Sequence, residues 1–479
     1  MMGSVARLRT RTGCLECRRR RKKCDEKRPL CAGCSRNGLR CTWPSEYQPV
    51  DRRRRCPSPA SPSASSPSPS CNGTSTQSRT PDISASLPPF SAMPPPFRLE
   101  EHFNLYCYFA NSLLPTLVRQ CSLPKYSDQT YILNLAVQFP PLMGAMIAVA
   151  AVRLPRHDES YLHLGLKCYH FSIQNLREGL ASDKYKGNED YLLATTILLC
   201  IWENCQPDGI PNTSHHVVAA GNLLRLRCPK PRSSSQSALV FERTCVESFI
   251  YHSSLLMLFD RSLDPLADPQ VLENIQRYFV DPDHPDDAGP GWTNTQPILD
   301  ASYKFFLLTA DITRLSRHNR PLDEVELSLY YRLQSDFHRW EQTIRKTAND
   351  QDKDRTGLLY TLAIRALLLK MDPHLHEISG GFESLLHESL EIIPFLNIDP
   401  NFVYYYLWPL IVLGSIAVNP WDRNPFREII SLLIIKGREG IACWALKRLE
   451  TVWTTEYEYA YWGPSHPMLR GLKRLLEND

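Results

Sequence analysis

Six cysteines fall at the spacing Cys14-x2-Cys17-x6-Cys24-x6-Cys31-x2-Cys34-x6-Cys41, and no other feature restricts the fold of this chain as tightly. The unit C-x2-C-x6-C occurs twice, joined by six residues. A C-x2-C pair brings two thiolates onto one metal ion, and zinc takes four ligands in a tetrahedron. A single zinc would leave two of the six thiols idle. Two zinc ions need more ligand positions than six sulfurs supply singly, so two sulfurs must bridge, and the duplicated spacing suggests one bridge per half. A segment this short cannot enclose a hydrophobic core, so the metals must hold it together. The predicted head is a small zinc-stabilised binuclear cluster made of two short helix-loop halves.

Six consecutive basic residues, Arg18, Arg19, Arg20, Arg21, Lys22 and Lys23, separate the second thiol from the third. Residues 1–55 hold 17 Lys/Arg against 5 Asp/Glu, a net of +12, so with a chain total of +4 the remainder carries −8. A basic head on a mildly acidic body points to a polyanion partner for the head alone. Two Zn²⁺ on six thiolates carry a net negative charge, which suits cationic surroundings. The seven-residue step from Cys17 to Cys24 is close to two helical turns, so one helix is expected to turn both thiols to the metals and a basic comb outward. The end of such a helix can enter the major groove, where Arg or Lys meets guanine O6 and N7.

Across residues 14–41, "CRRRRKKCD", Pro29 in the middle loop and "NGLRC" before the last thiol resemble the fungal Zn2Cys6 binuclear-cluster DNA-binding domain. The resemblance implies two Zn²⁺ per chain, with Cys14 and Cys31 as the bridging ligands. It also implies that Arg20 and Arg21 lie at base edges of a GC-rich, CGG-like duplex site. Arg18, Arg19, Lys22 and Lys23 are then the phosphate contacts. Arg21 stands where the family commonly has lysine, which alters the contact geometry available there. Further along, "PPLMGAMIAVAAVRL", "SHHVVAAGNLLRLR" and "LWPLIVLGSIA" resemble helix segments of the fungal-specific transcription factor domain. A nuclear, sequence-specific transcription regulator is the function this implies. Its partners would be double-stranded DNA, together with co-regulators or a small effector acting through residues 98–479.

Residues 56–97 contain 11 prolines and 12 serines in 42 positions, a composition expected to form a disordered linker spanning about 35 Å root-mean-square. The run Asp51–Arg55 could extend phosphate contact or serve as half of a nuclear-import signal with Arg18–Lys23. A coiled coil is not expected after the cluster, since "TWPSEYQPVDRRRRCPSPASPS" has no a/d repeat. The expected state is a monomer, or a dimer through the body.

From residue 98 to 479 the pattern is helical, and one large all-α domain is predicted. Leu162, Leu166, Tyr169, Ile173, Leu176 and Leu180 recur on one helical face, as do Val325, Leu329, Leu333, Phe337 and Trp340. Further helices are expected around 100–114, 142–153, 190–204, 215–227, 239–260, 300–317, 357–370, 403–418, 427–436 and 438–455. The uncharged run Phe402–Val418 is as long as the shortest membrane spans, but its three adjacent tyrosines and Pro409 favour a buried core helix. No membrane partner is expected.

The first 13 residues lack an apolar segment of the secretory kind, so a reducing compartment is expected, where dense thiols bind metal. The other ten cysteines are expected to be isolated buried thiols. No P-loop, G-x-S-x-G or H-E-x-x-H occurs, and no enzyme activity is expected. His215-His216 reads as a polar helix edge, His374–His376 lacks partner ligands, and the acidic stretch around 281–289 lacks calcium-loop spacing. The competing reading is a zinc module that binds protein or RNA; the uninterrupted basic block argues against a protein partner.

Overall fold

The computed structural model describes Cys14, Cys17, Arg20, Lys22, Cys24, Asp25, Lys27 and residues 31–37, and then 89–119, 130–154, 159–206, 213–227, 235–279, 298–299, 301–318, 321–348, 355–372, 381–399, 401–437, 440–454 and 467–477. It divides into two units, Met1–Arg79 and Thr80–Asp479. The first contains the short helix α1 (Ala32–Ser35). The second is helical, with no β-strand among its described residues.

Helix starts in this second unit follow local chemistry. Helix α2 spans Glu100–Tyr108, α3 Thr130–Gln138 and α4 Pro140–Arg153. Pro140 stands in the first turn of α4, where its missing N–H would have had no helical partner. Helices α5 (Glu159–Ala181), α6 (Asp190–Asn204) and α7 (Thr213–Leu226) follow. Ser235 starts α8 (Gln236–Leu256), its Oγ accepting the Ala238 N–H at 3.3 Å. Next come α9 (Pro269–Phe279), α10 (Tyr303–Ser316) and α11 (Glu324–Ala348). At the head of α11, the Glu326 N–H donates to Asp323 Oδ1 at 2.8 Å and the Asp323 N–H to Glu326 Oε2 at 3.0 Å, a reciprocal capping box. The chain continues through α12 (Thr356–Met371), α13 (Gly381–Ile392), α14 (Val403–Ser415), α15 (Pro420–Gly437), α16 (Gly440–Thr454) and α17 (Pro467–Glu477).

Two helices organise the packing. In α4 every residue from Pro141 to Ala151 is buried, against α2, α3, α5 and α6. In α14 every residue is buried, against α8, α12, α13, α15, α16 and α17. Helix α8 touches members of both groups and joins them into one core. Two of the three tyrosines of α14 that would suit a bilayer poorly find acceptors for their hydroxyls here. Tyr404 Oη donates to Asn204 Oδ1, and Tyr406 Oη donates to the Asn397 carbonyl at 2.8 Å. No single helix among the described residues is long and apolar enough to cross a membrane.

The helix positions expected from periodicity are found, and α3, α9, α13 and α17 are additional. The buried faces differ from expectation in two places. On α5, Leu162 (40%), Leu166 (39%) and Leu180 (45%) are exposed, while Gly165, Cys168, Tyr169, Ser172 and Gly179 are buried. The cause is a close crossing with α4. A Cβ at Gly165 would lie 2.8 Å from Ala151 Cβ, and one at Gly144 would lie 2.5 Å from Ser172 Oγ. Only small side chains fit that seam, so the leucines flank it. On α11, Val325 is 78% exposed and the buried stripe runs through Tyr330, Leu333, Phe337 and Ile344.

Residues 89–97, assigned to the linker by composition, contribute to the body. Phe90–Ala92 and Pro95–Phe97 form 3-10 turns, and Met93 and Phe97 are buried in its core. Most of the expected linker lies outside the described residues.

Candidate metal centre and nucleic-acid interface

In the N-terminal unit five thiols converge. The sulfurs of Cys14, Cys17, Cys24 and Cys31 lie within 4.8 Å of one another, and all four residues are buried. Cys34 joins them: Cys14 Sγ is 3.6 Å from Cys34 Sγ and 3.7 Å from Cys31 Sγ, and Cys17 Sγ is 3.6 Å from Cys31 Sγ. For a zinc–sulfur bond of about 2.3 Å the edge of a tetrahedral site is about 3.8 Å. These separations therefore fit thiolates arranged about a common metal.

The duplicated spacing appears as duplicated geometry. The Cys17 N–H points at Cys14 Sγ at 3.4 Å, and the Cys34 N–H points at Cys31 Sγ at 3.3 Å. Each C-x2-C turn thus aims a backbone N–H at its own first sulfur. The Cys34 N–H, with further hydrogen bonds from neighbouring thiols, draws the Cys31 thiol down to about 6. At Cys14 burial works upward, but the Cys17 backbone N–H and the neighbouring thiols outweigh it and lower the thiol. Cys17 is pushed up to about 12, chiefly because its thiol serves as proton donor to Cys14. Metal ligation needs thiolates, and burial notwithstanding the Cys14 and Cys31 thiols are both held below the ordinary thiol range.

Cys17 is helical and its carbonyl accepts the Lys22 N–H at 3.0 Å, but Lys22, Cys24 and Asp25 are not helical. The expectation of one helix carrying both Cys17 and Cys24 is corrected accordingly. Seven residues of helix would separate the two positions by about 10 Å along the axis, whereas the sulfurs lie within 4.8 Å. The chain must therefore turn back before Cys24.

Sequence reasoning overlooked Asp25. Its carboxylate accepts the Ala32 N–H at 3.1 Å (Oδ1) and 3.3 Å (Oδ2), clamping the start of α1. At the other end of α1, Arg36 Nε donates to the Ala32 carbonyl at 3.3 Å and Asn37 Nδ2 to the Gly33 carbonyl at 2.7 Å. An acid just after a clustered cysteine, seven residues before a C-x2-C helix start, was the available signal.

Of the basic block, Arg20 is partly buried and Lys22 is exposed. Arg18, Arg19, Arg21, Lys23 and Cys41 lie outside the described residues, as do His374–His376 and the acidic stretch around 281–289. His215 and His216 do not form a ligand pair. His215 is exposed, while His216 Nε2 lies 3.0 Å from Tyr169 Oη and burial lowers its imidazole to about 4. Among the described residues no other group of three or more metal-ligating side chains converges.

A model of the fungal Zn(2)-Cys(6) binuclear cluster domain matches residues 12–49, and a model of the fungal specific transcription factor domain matches residues 104–458. Among curated proteins, the Zn(2)-C6 fungal-type transcription factor afumD of Aspergillus fumigatus is 34% identical over 178 residues, covering 36% of this chain and 40% of that protein. The transcription factor lfc1 of Flammulina velutipes is 49% identical over 49 residues, 10% of this chain and 16% of that one. The zinc cluster transcription factor CZF1 of Candida albicans is 58% identical over 36 residues, 8% of this chain and 9% of that one. The chain thus spans 40% or less of the length of each of these relatives. No solved structure matches.

Proposed function

The chain belongs to the fungal Zn2Cys6 transcription factors, and from that premise we propose that it regulates transcription by reading a GC-rich, CGG-like duplex site through Arg20 and Arg21. Membership of the family implies zinc binding, DNA binding and a place in the nucleus. The finer reading adds two Zn²⁺ per chain, with Cys14 and Cys31 bridging. The supporting observation is the Cys14–Cys31 sulfur pair at 3.7 Å, each member of which has a further sulfur at 3.6 Å. Such a pair can form the edge shared by two tetrahedra, with Cys17, Cys24, Cys34 and Cys41 completing them. Bound zinc supplies structural cross-linking and positive charge; the chain's own residues do the reading. Residues 1–55 act as the DNA-binding head, and the helical body regulates or recruits.

Arg20 and Arg21 serve as base readers, while Arg18, Arg19, Lys22 and Lys23 clamp phosphates. The test begins with metal analysis of the full chain, where one zinc per chain would end the binuclear reading. It continues with salt titrations on the site selected from random duplex and on unselected duplex. Arg20→Ala or Arg21→Ala should cost about 1–3 kcal/mol on the selected site and much less on unselected DNA. Arg18→Ala or Lys23→Ala should weaken both alike and lower the salt slope by about one phosphate contact. Equal losses on both duplexes for Arg20 and Arg21 would make them clamps instead. Tighter binding to single-stranded RNA than to any duplex would replace the DNA reading.

A further inference from the structure

The basic turn is held to the head by sulfur at both ends. At its start, Cys17 Sγ lies 3.6 Å from Cys31 Sγ among the clustered thiols. At its end, Cys24 Sγ returns to the same cluster. Between them the Lys22 N–H donates to the Cys17 carbonyl at 3.0 Å and closes the turn on itself. Arg20, partly buried, stands within that closed turn.

Two sulfurs define a line, and a turn held along a line can rock about it. A sulfur fixes a point in space, while rotation about the side-chain bonds behind it leaves the direction of the backbone open. A third contact away from the sulfurs removes that freedom, and Asp25 supplies one. Its carboxylate accepts the Ala32 N–H at 3.1 Å and 3.3 Å, so the residue after Cys24 is tied to the first residue of α1, the helix that carries Cys34. The tie crosses from one C-x2-C-x6-C half to the other. Asp25 is exposed. Water competes for both groups of an exposed hydrogen bond, so the tie adds little stability to a head held by metal. What it fixes is an orientation.

Base reading and phosphate clamping make different demands on orientation. A side chain that meets a base edge must be held to about 0.5 Å and 10–20°. A cationic contact to phosphate is largely Coulombic and tolerates a tilt. We infer that Asp25 is a positioning residue for base reading: by tying the Cys24 end of the basic turn to Ala32, it sets the angle at which Arg20 meets the duplex. The inference rests on the proposal that Arg20 reads bases.

The test uses the zinc-loaded full chain on the selected and the unselected duplex. Asp25→Ala removes the acceptor. Ala32→Pro removes the donor and leaves the carboxylate in place. Proline suits the first position of a helix, and Cys31 already has the extended backbone that precedes proline (φ −73°, ψ 150°). Each variant should lower the ratio of selected to unselected affinity about tenfold, and the double variant should lower it no further. Zinc content and the salt slope on unselected duplex should stay as in the natural chain. Asp25→Asn keeps an acceptor oxygen without the charge and should hold the ratio within about threefold of the natural value. If Asp25→Ala alone loses zinc, Ala32→Pro decides. An unchanged ratio, an equal loss on both duplexes, or loss of zinc in both variants would overturn the inference. Asp25→Asn as damaging as Asp25→Ala would assign the effect to charge and overturn it too. Arg20→Ala in the same series reports base reading separately. A ratio that falls with Arg20→Ala but not with Asp25→Ala or Ala32→Pro would end the positioning role and leave the reading in place.

Discussion

The two units of this chain build their interiors from different chemistry. In the N-terminal unit the buried apolar set among the described residues consists of Cys14, Cys17, Cys24, Cys31 and Cys34 and nothing else. In the body a large hydrocarbon core runs from Met93 to Leu476 among the described residues, with Val118 and Val240 as a small separate pair. Cysteine appears in both, used in opposite ways. Cys31 is drawn down to about 6, first by the Cys34 N–H, and is suited to ligate metal. Cys168, sunk in the body's core, is pushed up to about 12 by burial and behaves as a small inert apolar side chain. Cys200, Cys205 and Cys245 are likewise buried in the body, whereas Cys107 and Cys443 are partly exposed. The residue type says little by itself; the surrounding N–H groups and neighbouring sulfurs decide its role.

Metal removal provides the largest contrast. Chelation should unfold the head, because structural zinc contributes about 10 kcal/mol or more to such folds, and Cys14→Ser should do the same. The body's helical far-UV signal and its thermal transition should persist. A body that melts on chelation would break the comparison at its root.

The body has its own point of failure. Arg227, 3% exposed, joins Asp190 Oδ1 at 2.8 Å and Glu242 Oε1 at 2.7 Å, linking the start of α6, the end of α7 and α8. Arg227→Met would leave the buried Glu242 and the largely buried Asp190 without their cation, and breaking such a pair costs about 3–5 kcal/mol. Denaturant unfolding of the body should show that loss while zinc stoichiometry stays the same. A loss under 1 kcal/mol would mean that the carboxylates find other partners.

Acid should act on both units by different routes and to a smaller extent on the body. In the head, protonation competes with metal for thiolates. In the body, burial holds His252 down to about 3 and His216 down to about 4. Both pKa values are lowered on folding, so the unfolded chain takes up more protons below about pH 6.5, and stability falls as pH drops from there towards 4. His252 alone should cost the body about 2 kcal/mol at pH 5 relative to pH 7.5. His252→Gln should flatten that slope in a denaturant series at several pH values. A body equally stable at pH 5 and 7.5 would show that His252 is protonated in the folded state.

Much of this organisation was legible in one dimension. Metal ligation depends on which residue types stand how far apart, and the six-cysteine spacing carries that information before folding. Helix positions were legible for a related reason, since a period near 3.6 and a few caps are local properties. The unpredicted helices show the limit of that reading. Thr130–Gln138 is too short for its period to stand out, whereas Pro467–Glu477 carries buried Met468, Leu469, Leu472, Leu475 and Leu476 at helical spacing and was open to detection.

What the sequence determined by itself was the duplicated cysteine spacing, the basic block beside it, the proline- and serine-rich break and the all-helical body. What only the tertiary structure decided was which side of each helix faces inward and where the chain turns back. On α5 the most hydrophobic stripe includes the exposed Leu162, Leu166 and Leu180, yet the seam against α4 is made by Gly165, Cys168 and Ser172. Hydrophobicity favours burial of large side chains, but two helices can approach this closely only through small ones, and the identity of the neighbouring helix is not a local property. Cys24 is the same case in miniature. Its spacing from Cys17 fits two turns of helix, but sulfurs within 4.8 Å of one another require the backbone to turn between them. Distance closure is a three-dimensional condition that helical periodicity does not express.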